Sequence, residues 1–126
     1  MPGKILVVDD NDQNRILLHD VLTHHGYDVL MAAEGFEGVS MAEEHQPDLI
    51  LMDIQMPGMD GITAGKLLRG NLRTQGIRIL ALSAFNLLED EENFFDTGFD
   101  GYIDKPINFR KLPETVSSYL TGRETG

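Results

Sequence analysis

The chain has 126 residues, a length that fits one domain with a buried core, and no cysteine, which excludes a disulfide framework and a zinc–thiolate site. Its formal net charge of −11 at pH 7 argues against nucleic acid and anionic membrane surfaces as partners, because like charges repel. No apolar run approaches the roughly 20 residues of a membrane span, and the start does not resemble a signal peptide, so we expect a cytoplasmic protein.

The first part of the chain alternates short apolar runs with stretches of helical periodicity. The run at 5–9 predicts a buried strand, and the apolar spacing over 11–26 predicts a helix for which Asn11 is the N-cap. A second strand is predicted at 27–33 and a second helix at 34–46, which a proline closes. This alternation is typical of a sheet whose strands are joined by helices.

The same alternation continues through the middle of the chain. A third apolar strand at 49–53 ends in a carboxylate, Asp53, and a glycine-containing helix follows at 61–71. A fourth strand is predicted at 77–83. A fourth helix is predicted at 87–97, with acidic residues early, where the helix dipole favours them, and with Gly98 after its end.

The pattern closes with a short strand at 101–105 and a last helix at 109–120, in which Pro113 favours a kink or a later start. Five strands alternating with five helices predict an α/β fold, a doubly wound parallel sheet of the flavodoxin-like kind with strand order 2-1-3-4-5. We expect a single domain with a core of about 4–121 and a frayed tail at 122–126.

Polar residues stand where the predicted strands end: Asp9, Asp10, Asp53, Ser83 and Lys105. In the predicted strand order, these ends meet at the crevice where such sheets bind ligands. Three carboxylates about 4 Å apart repel by about 4 kcal/mol per pair at an effective dielectric of 20, so a cation is needed to offset them. Because only oxygen ligands are offered, the sequence predicts Mg²⁺.

The hydroxyl of Ser83 and the ammonium of Lys105 suit phosphoryl oxygens beside a metal. Asp53 is then a nucleophile that takes a phosphoryl group and holds it as an acyl phosphate. The turn after Asp53 is expected to move the backbone aside and to expose the carbonyl of Gln55 to the metal. Each residue also has an ordinary interpretation as a strand-end or turn residue.

Four motifs occur in order at the predicted strand ends: VVDDN at 7–11, LILMDIQMPGMDG at 49–61, ALSA at 81–84 and YIDKPI at 102–107. Together they resemble the receiver domain of two-component response regulators, and the resemblance spans about 4–121. The opening VDDNDQN is also similar to receivers of hybrid kinases and to stand-alone regulators of the DivK type.

The resemblance implies a role for each site residue. Asp53 would accept phosphate from a phosphohistidine of a histidine kinase or a histidine phosphotransfer protein. Mg²⁺ would lie on Asp10, Asp53 and the carbonyl of Gln55, with Asp9 acting through a water. Lys105 would pair with the phosphoryl group.

The resemblance also implies a switch. Tyr102 matches the switch aromatic, whose ring turns inward as Ser83 moves toward the phosphoryl group, although a packed ring without that role is the alternative. The Lys105–Pro106 peptide bond would be cis. The surface of the fourth helix, the fifth strand and the last helix would then meet partners: a downstream effector, an output domain outside this chain, or a second copy in a phosphorylation-dependent homodimer.

Hydrolysis of the acyl phosphate would be tuned by Gln55 and Phe85, so the domain would catalyse only its own phosphoryl transfer and hydrolysis. Phe85 could instead cover the core or contact a partner. A Mg²⁺-dependent phosphatase of the haloacid dehalogenase kind is the main alternative. That class needs an acid where this chain has Gln55 and usually carries a cap domain. A degenerate receiver that only binds partners would lack a pocket residue, and none is missing.

Overall fold

The computed structural model describes residues 3–54, 61–83 and 98–125. Five strands form one parallel sheet in the order β2-β1-β3-β4-β5. They are β1 (Lys4–Val8), β2 (Asp28–Ala32), β3 (Leu49–Asp53), β4 (Arg78–Ser83) and β5 (Gly101–Asp104). The predicted α/β class and strand order are confirmed.

The described helices are α1 (Asp12–His24), α2 (Gly35–His45), α3 (Gly61–Arg69) and α4 (Leu112–Thr125). The helix predicted at 87–97 lies outside the described residues. In the part of the chain that the structure describes, every helix is too short or too polar for a transmembrane segment.

Helices cover both faces of the sheet, because successive strand side chains point to opposite sides. One buried cluster joins the sheet to α2 and α3: Leu6, Val8, Ile50, Met52, Ile79, Ala81, Ala42, Ala64 and Leu68. The other joins it to α1 and α4: Ile5, Val7, Leu49, Leu51, Leu80, Leu82, Leu18, Leu22, Leu112 and Val116. The central strands are thus fixed from both sides, and with them the residues at their ends.

Local signals set the helix ends. Asn11 caps α1, as predicted, since its side chain accepts a hydrogen bond of 3.0 Å from the backbone N–H of Asn14. The last helix begins at Leu112, later than the predicted 109, and Pro113 lies in its first turn, where proline is tolerated. Its backbone stays helical to Thr125, within the predicted tail, because one glycine costs a helix only about 1 kcal/mol.

Arg69, at the end of α3, fixes the chain that enters β5. Its guanidinium donates to the carbonyl of Gly98 at 2.7 Å and to the carboxylate of Asp100 at 2.7 Å, and that carboxylate also accepts the backbone N–H of Ile79. Gly98 has a φ of +93°, and a Cβ there would lie 2.6 Å from the Cγ of Arg69. These hydrogen bonds fix the start of β5, the strand that leads to Lys105.

Candidate functional site

The three acids lie together at the carboxyl edge of the sheet. Asp53 is the last residue of β3, while Asp9 and Asp10 follow β1 directly. One carboxylate oxygen from each lies within 4.8 Å of the others. Asp9 and Asp53 are only 0% and 2% exposed, and Asp10 is exposed to solvent. The predicted meeting of these strand ends is therefore present in the structure.

Lys105 brings a positive charge to the two buried acids. It follows β5 directly, its peptide bond to Pro106 is cis, and its Nζ lies 3.1 Å from Oδ2 of Asp53 and 3.8 Å from Oδ2 of Asp9. Its side chain is mostly buried, which strengthens the attraction by excluding water. One ammonium against three carboxylates still leaves an excess of negative charge when all are ionised.

A hard cation would balance the excess of negative charge at the three carboxylates. Oδ2 of Asp9 is buried and has no hydrogen-bond partner among the described residues, which is costly for a carboxylate oxygen. The other oxygen, Oδ1, accepts the backbone N–H of Asn11 at 2.9 Å. Carboxylate oxygens clustered without nitrogen or sulfur donors are the ligands that Mg²⁺ prefers.

The structure describes two of the four remaining predicted site residues. Ser83 is the last residue of β4 and pairs with Asp104 of β5, so its backbone lies at the same edge of the sheet. Tyr102 lies in β5, and its half-buried ring packs against the core cluster shared with α2 and α3. Gln55 and Phe85 lie outside the described residues.

Gly61 is a site residue that sequence reasoning missed. It opens α3, and a Cβ at this position would lie 2.3 Å from the carbonyl oxygen of Asp53 and 2.6 Å from the Cα of Ile54. Only glycine lets the helix start this close to the backbone that carries the acid. No short motif marks it, because Gly61 lies eight residues after Asp53 and its closeness to that backbone depends on how α3 packs against the sheet.

Residues 5–117 match the family model of the response regulator receiver domain. The chain belongs to the response regulator receiver family. The receiver is 38% identical over 120 residues to the polar-differentiation response regulator DivK of Brucella anthropi, a match that covers 95% of this chain and 98% of that protein.

Solved receivers share the fold. The chemotaxis protein CheY4 of Vibrio cholerae superposes with a TM-score of 0.88 at 29% identity, covering 94% of this chain and 99% of that one. The receiver domain of a sensor histidine kinase from Pseudomonas aeruginosa superposes with a TM-score of 0.86 at 31% identity, covering 96% and 99%. That structure holds a magnesium ion in its active-site cleft. This receiver is thus a two-component signalling domain, and the phosphatase alternative is not favoured.

Proposed function

We propose that this receiver accepts a phosphoryl group on Asp53 from a phosphohistidine of a histidine kinase or a histidine phosphotransfer protein. The observation that carries the proposal is the contact of 3.1 Å between Nζ of Lys105 and Oδ2 of Asp53, beside the buried carboxylate of Asp9. A buried lysine and a buried acid at the end of a parallel strand place a nucleophile and a charge partner at the ligand crevice.

Asp53 and Lys105 would act at different steps of the phosphoryl transfer. A carboxylate oxygen of Asp53 forms the new P–O bond while the P–N bond of the phosphohistidine breaks, and the released imidazole takes up a proton. The ammonium of Lys105 then pairs with a phosphoryl oxygen, a strong charge-assisted contact in a site that excludes water. Burial of Asp53 limits the access of water to the acyl phosphate.

Mg²⁺ would be held by Asp10, Asp53 and the carbonyl of Gln55, with Asp9 acting through a water. Three observations support a Mg²⁺ site: the acidic cluster, the absence of a hydrogen bond to Oδ2 of Asp9 from the described residues, and the magnesium ion of the Pseudomonas aeruginosa relative. When bound, the ion supplies charge that offsets the phosphoryl oxygens.

We infer that the signal leaves through Ser83 and Tyr102, which would shift the surface formed by the segment after β4, β5 and the last helix toward a form that binds a downstream effector, an output domain or a second copy. Gln55 and Phe85 would tune hydrolysis, and the domain would catalyse only its own phosphoryl transfer and hydrolysis. We also propose that residues 1–126 form a single receiver domain and that it acts in the cytoplasm.

The test is phosphorylation by a small donor. The chain is incubated with acetyl phosphate or phosphoramidate, with Mg²⁺ or with EDTA, and its intact mass is followed over time. We expect one phosphoryl group to appear only with Mg²⁺ and to be released by hydroxylamine, as an acyl phosphate is. A product that resists hydroxylamine would contradict the proposal.

Mg²⁺ is expected to stabilise the fold, because it binds folded acids that repel one another. At a free Mg²⁺ concentration ten times Kd, linkage gives about 1.4 kcal/mol, which raises Tm by roughly 5 °C in a domain of this size. Thermal melts in Mg²⁺ and in EDTA at equal ionic strength measure the shift. Asp10→Asn should lose most of it, while Asp20→Asn, an exposed acid on α1, should keep it; an unchanged Tm in the wild type would count against the site.

Lys105→Ala is expected to separate labelling from switching. The nucleophile remains, so acetyl phosphate still labels the chain, but the ammonium that pairs with the phosphoryl oxygen is gone. Beryllium fluoride, a phosphoryl mimic, should then leave the NMR signals of Tyr102 unmoved. Lys66→Ala, which removes an exposed lysine of α3, is the matched control and should respond like the wild type; a full Tyr102 response in Lys105→Ala would refute this role.

A further inference from the structure

Arg15 reaches from α1 back to the loop that carries two of the site acids. Its side chain is only 17% exposed, and its Nη1 donates a hydrogen bond of 2.8 Å to the backbone carbonyl of Asp9. Its Nη2 contacts the carboxylate of Asp12, and its own backbone N–H bonds the carbonyl of Asn11 at 3.0 Å. The guanidinium is therefore anchored in the first turn of the helix while it holds the end of β1.

The contact with Arg15 completes the fixation of Asp9. The backbone N–H of Asp9 donates to the carbonyl of Ala32 in β2 at 3.1 Å, and its Oδ1 accepts the N–H of Asn11 at 2.9 Å. With the carbonyl held by Arg15, both backbone polar groups and one carboxylate oxygen of Asp9 have partners. The remaining oxygen, Oδ2, has no hydrogen-bond partner among the described residues and lies 3.8 Å from Nζ of Lys105, on the side of the site.

The held carbonyl also belongs to the peptide unit that joins Asp9 to Asp10. Because that unit is planar, fixing its carbonyl fixes the direction from which Asp10 leaves it. The carboxylate of Asp10 is exposed and forms no hydrogen bond or ion pair with the described residues. No contact of this carboxylate therefore holds it in place. The direction of this carboxylate toward the acidic cluster depends on the conformation of the backbone at Asp10.

We propose that Arg15 is a positioning residue for the metal: by holding the Asp9–Asp10 peptide, it orients the carboxylate of Asp10 toward Mg²⁺. This inference rests on the proposed Mg²⁺ site. The alternative is that Arg15 only stabilises the helix through its ion pair with Asp12. That pair contributes little, because Asp12 is 79% exposed and the two residues are one turn apart. The bond to the carbonyl of Asp9, in contrast, is made to the backbone that carries two site acids.

The test measures Mg²⁺ binding by calorimetry on the full chain. Arg15→Met keeps the length of the buried side chain and removes its donors, and Arg15→Lys restores one donor. Loss of a residue that orients a metal ligand typically weakens affinity by about 10- to 100-fold, so we expect Arg15→Met to raise the Mg²⁺ Kd by that factor and Arg15→Lys to lie between it and the wild type. Arg73→Ala, which removes an exposed guanidinium bonded to the carbonyl of Glu43, should leave Kd unchanged.

A second measurement separates positioning from general damage to the fold. In phosphorylation by acetyl phosphate, Arg15→Met should need more Mg²⁺ for half-maximal rate and should regain a rate near that of the wild type at saturating Mg²⁺. A Kd equal to that of the wild type, or a lowered maximal rate with unchanged Mg²⁺ dependence, overturns the role of Arg15 and leaves the proposed function intact. A wild type that does not bind Mg²⁺ overturns the proposed metal site itself.

Discussion

Asp53→Asn is expected to lower the rate of phosphorylation by acetyl phosphate by about 10³-fold or more, because an amide has no anionic oxygen to attack phosphorus. The substitution keeps the size of a side chain that is 2% exposed, so the fold should survive. Removing one of three clustered acids lowers their mutual repulsion but also breaks the ion pair with Lys105, which keeps Asp9 at 3.8 Å, so we expect only a small change of Tm in EDTA. Intact-mass kinetics and a thermal melt give both results.

The matched control is Asp28→Asn, which neutralises an exposed acid at the opposite end of the sheet, at the start of β2. It should be phosphorylated as fast as the wild type. Robust labelling of the Asp53→Asn variant at a hydroxylamine-sensitive position would mean that another acid accepts the group.

Gly61→Ala is expected to destabilise the domain by at least about 2 kcal/mol and to slow phosphorylation by about 10²-fold. Helix propensity alone predicts the opposite sign, a gain of about 1 kcal/mol. The new Cβ, however, would lie 2.3 Å from the carbonyl oxygen of Asp53 and 2.6 Å from the Cα of Ile54, and backbone atoms cannot move aside as a side-chain end can. Relief of the clash must displace either α3 or the acid, and a displacement of about 1 Å in a reacting group costs about 10²-fold.

Gly76→Ala is the control for this substitution, since a Cβ at that position would meet nothing within 4 Å. Denaturant unfolding and the rate of acetyl phosphate labelling should both stay close to wild-type values there. A Gly61→Ala protein as stable and as reactive as the wild type would show that α3 does not limit the position of Asp53.

The sheet could be predicted from the sequence because the physics of a parallel strand is local. A strand buried on both faces is nearly all apolar, as at Leu49–Asp53, where the predicted and observed bounds agree. Side-chain capping could be predicted at the start of α1, where Asn11 is the cap, but not at the start of the last helix. The last helix starts late because Asn108 accepts the backbone N–H groups of Arg110 and Lys111 and turns the chain first, a competition that the apolar spacing does not reveal.

The site divides in the same way. Asp9, Asp53 and Lys105 could be expected to meet because the ends of neighbouring parallel strands lie at one edge. The contacts of Gly61 with Asp53 and of Arg15 with Asp9 could not, because each depends on the distance and angle at which a helix packs on the sheet. Those packing distances follow from the whole core and have no signature in a short motif.

The most direct measurement is to locate the phosphoryl group in the chain. After acetyl phosphate and Mg²⁺, borohydride reduction converts an aspartyl phosphate to homoserine, and peptide mass spectrometry identifies the converted position. We expect homoserine at position 53 alone, and none when Mg²⁺ is replaced by EDTA. Conversion at a different acid, or equal conversion of Asp53 without the metal, would contradict it.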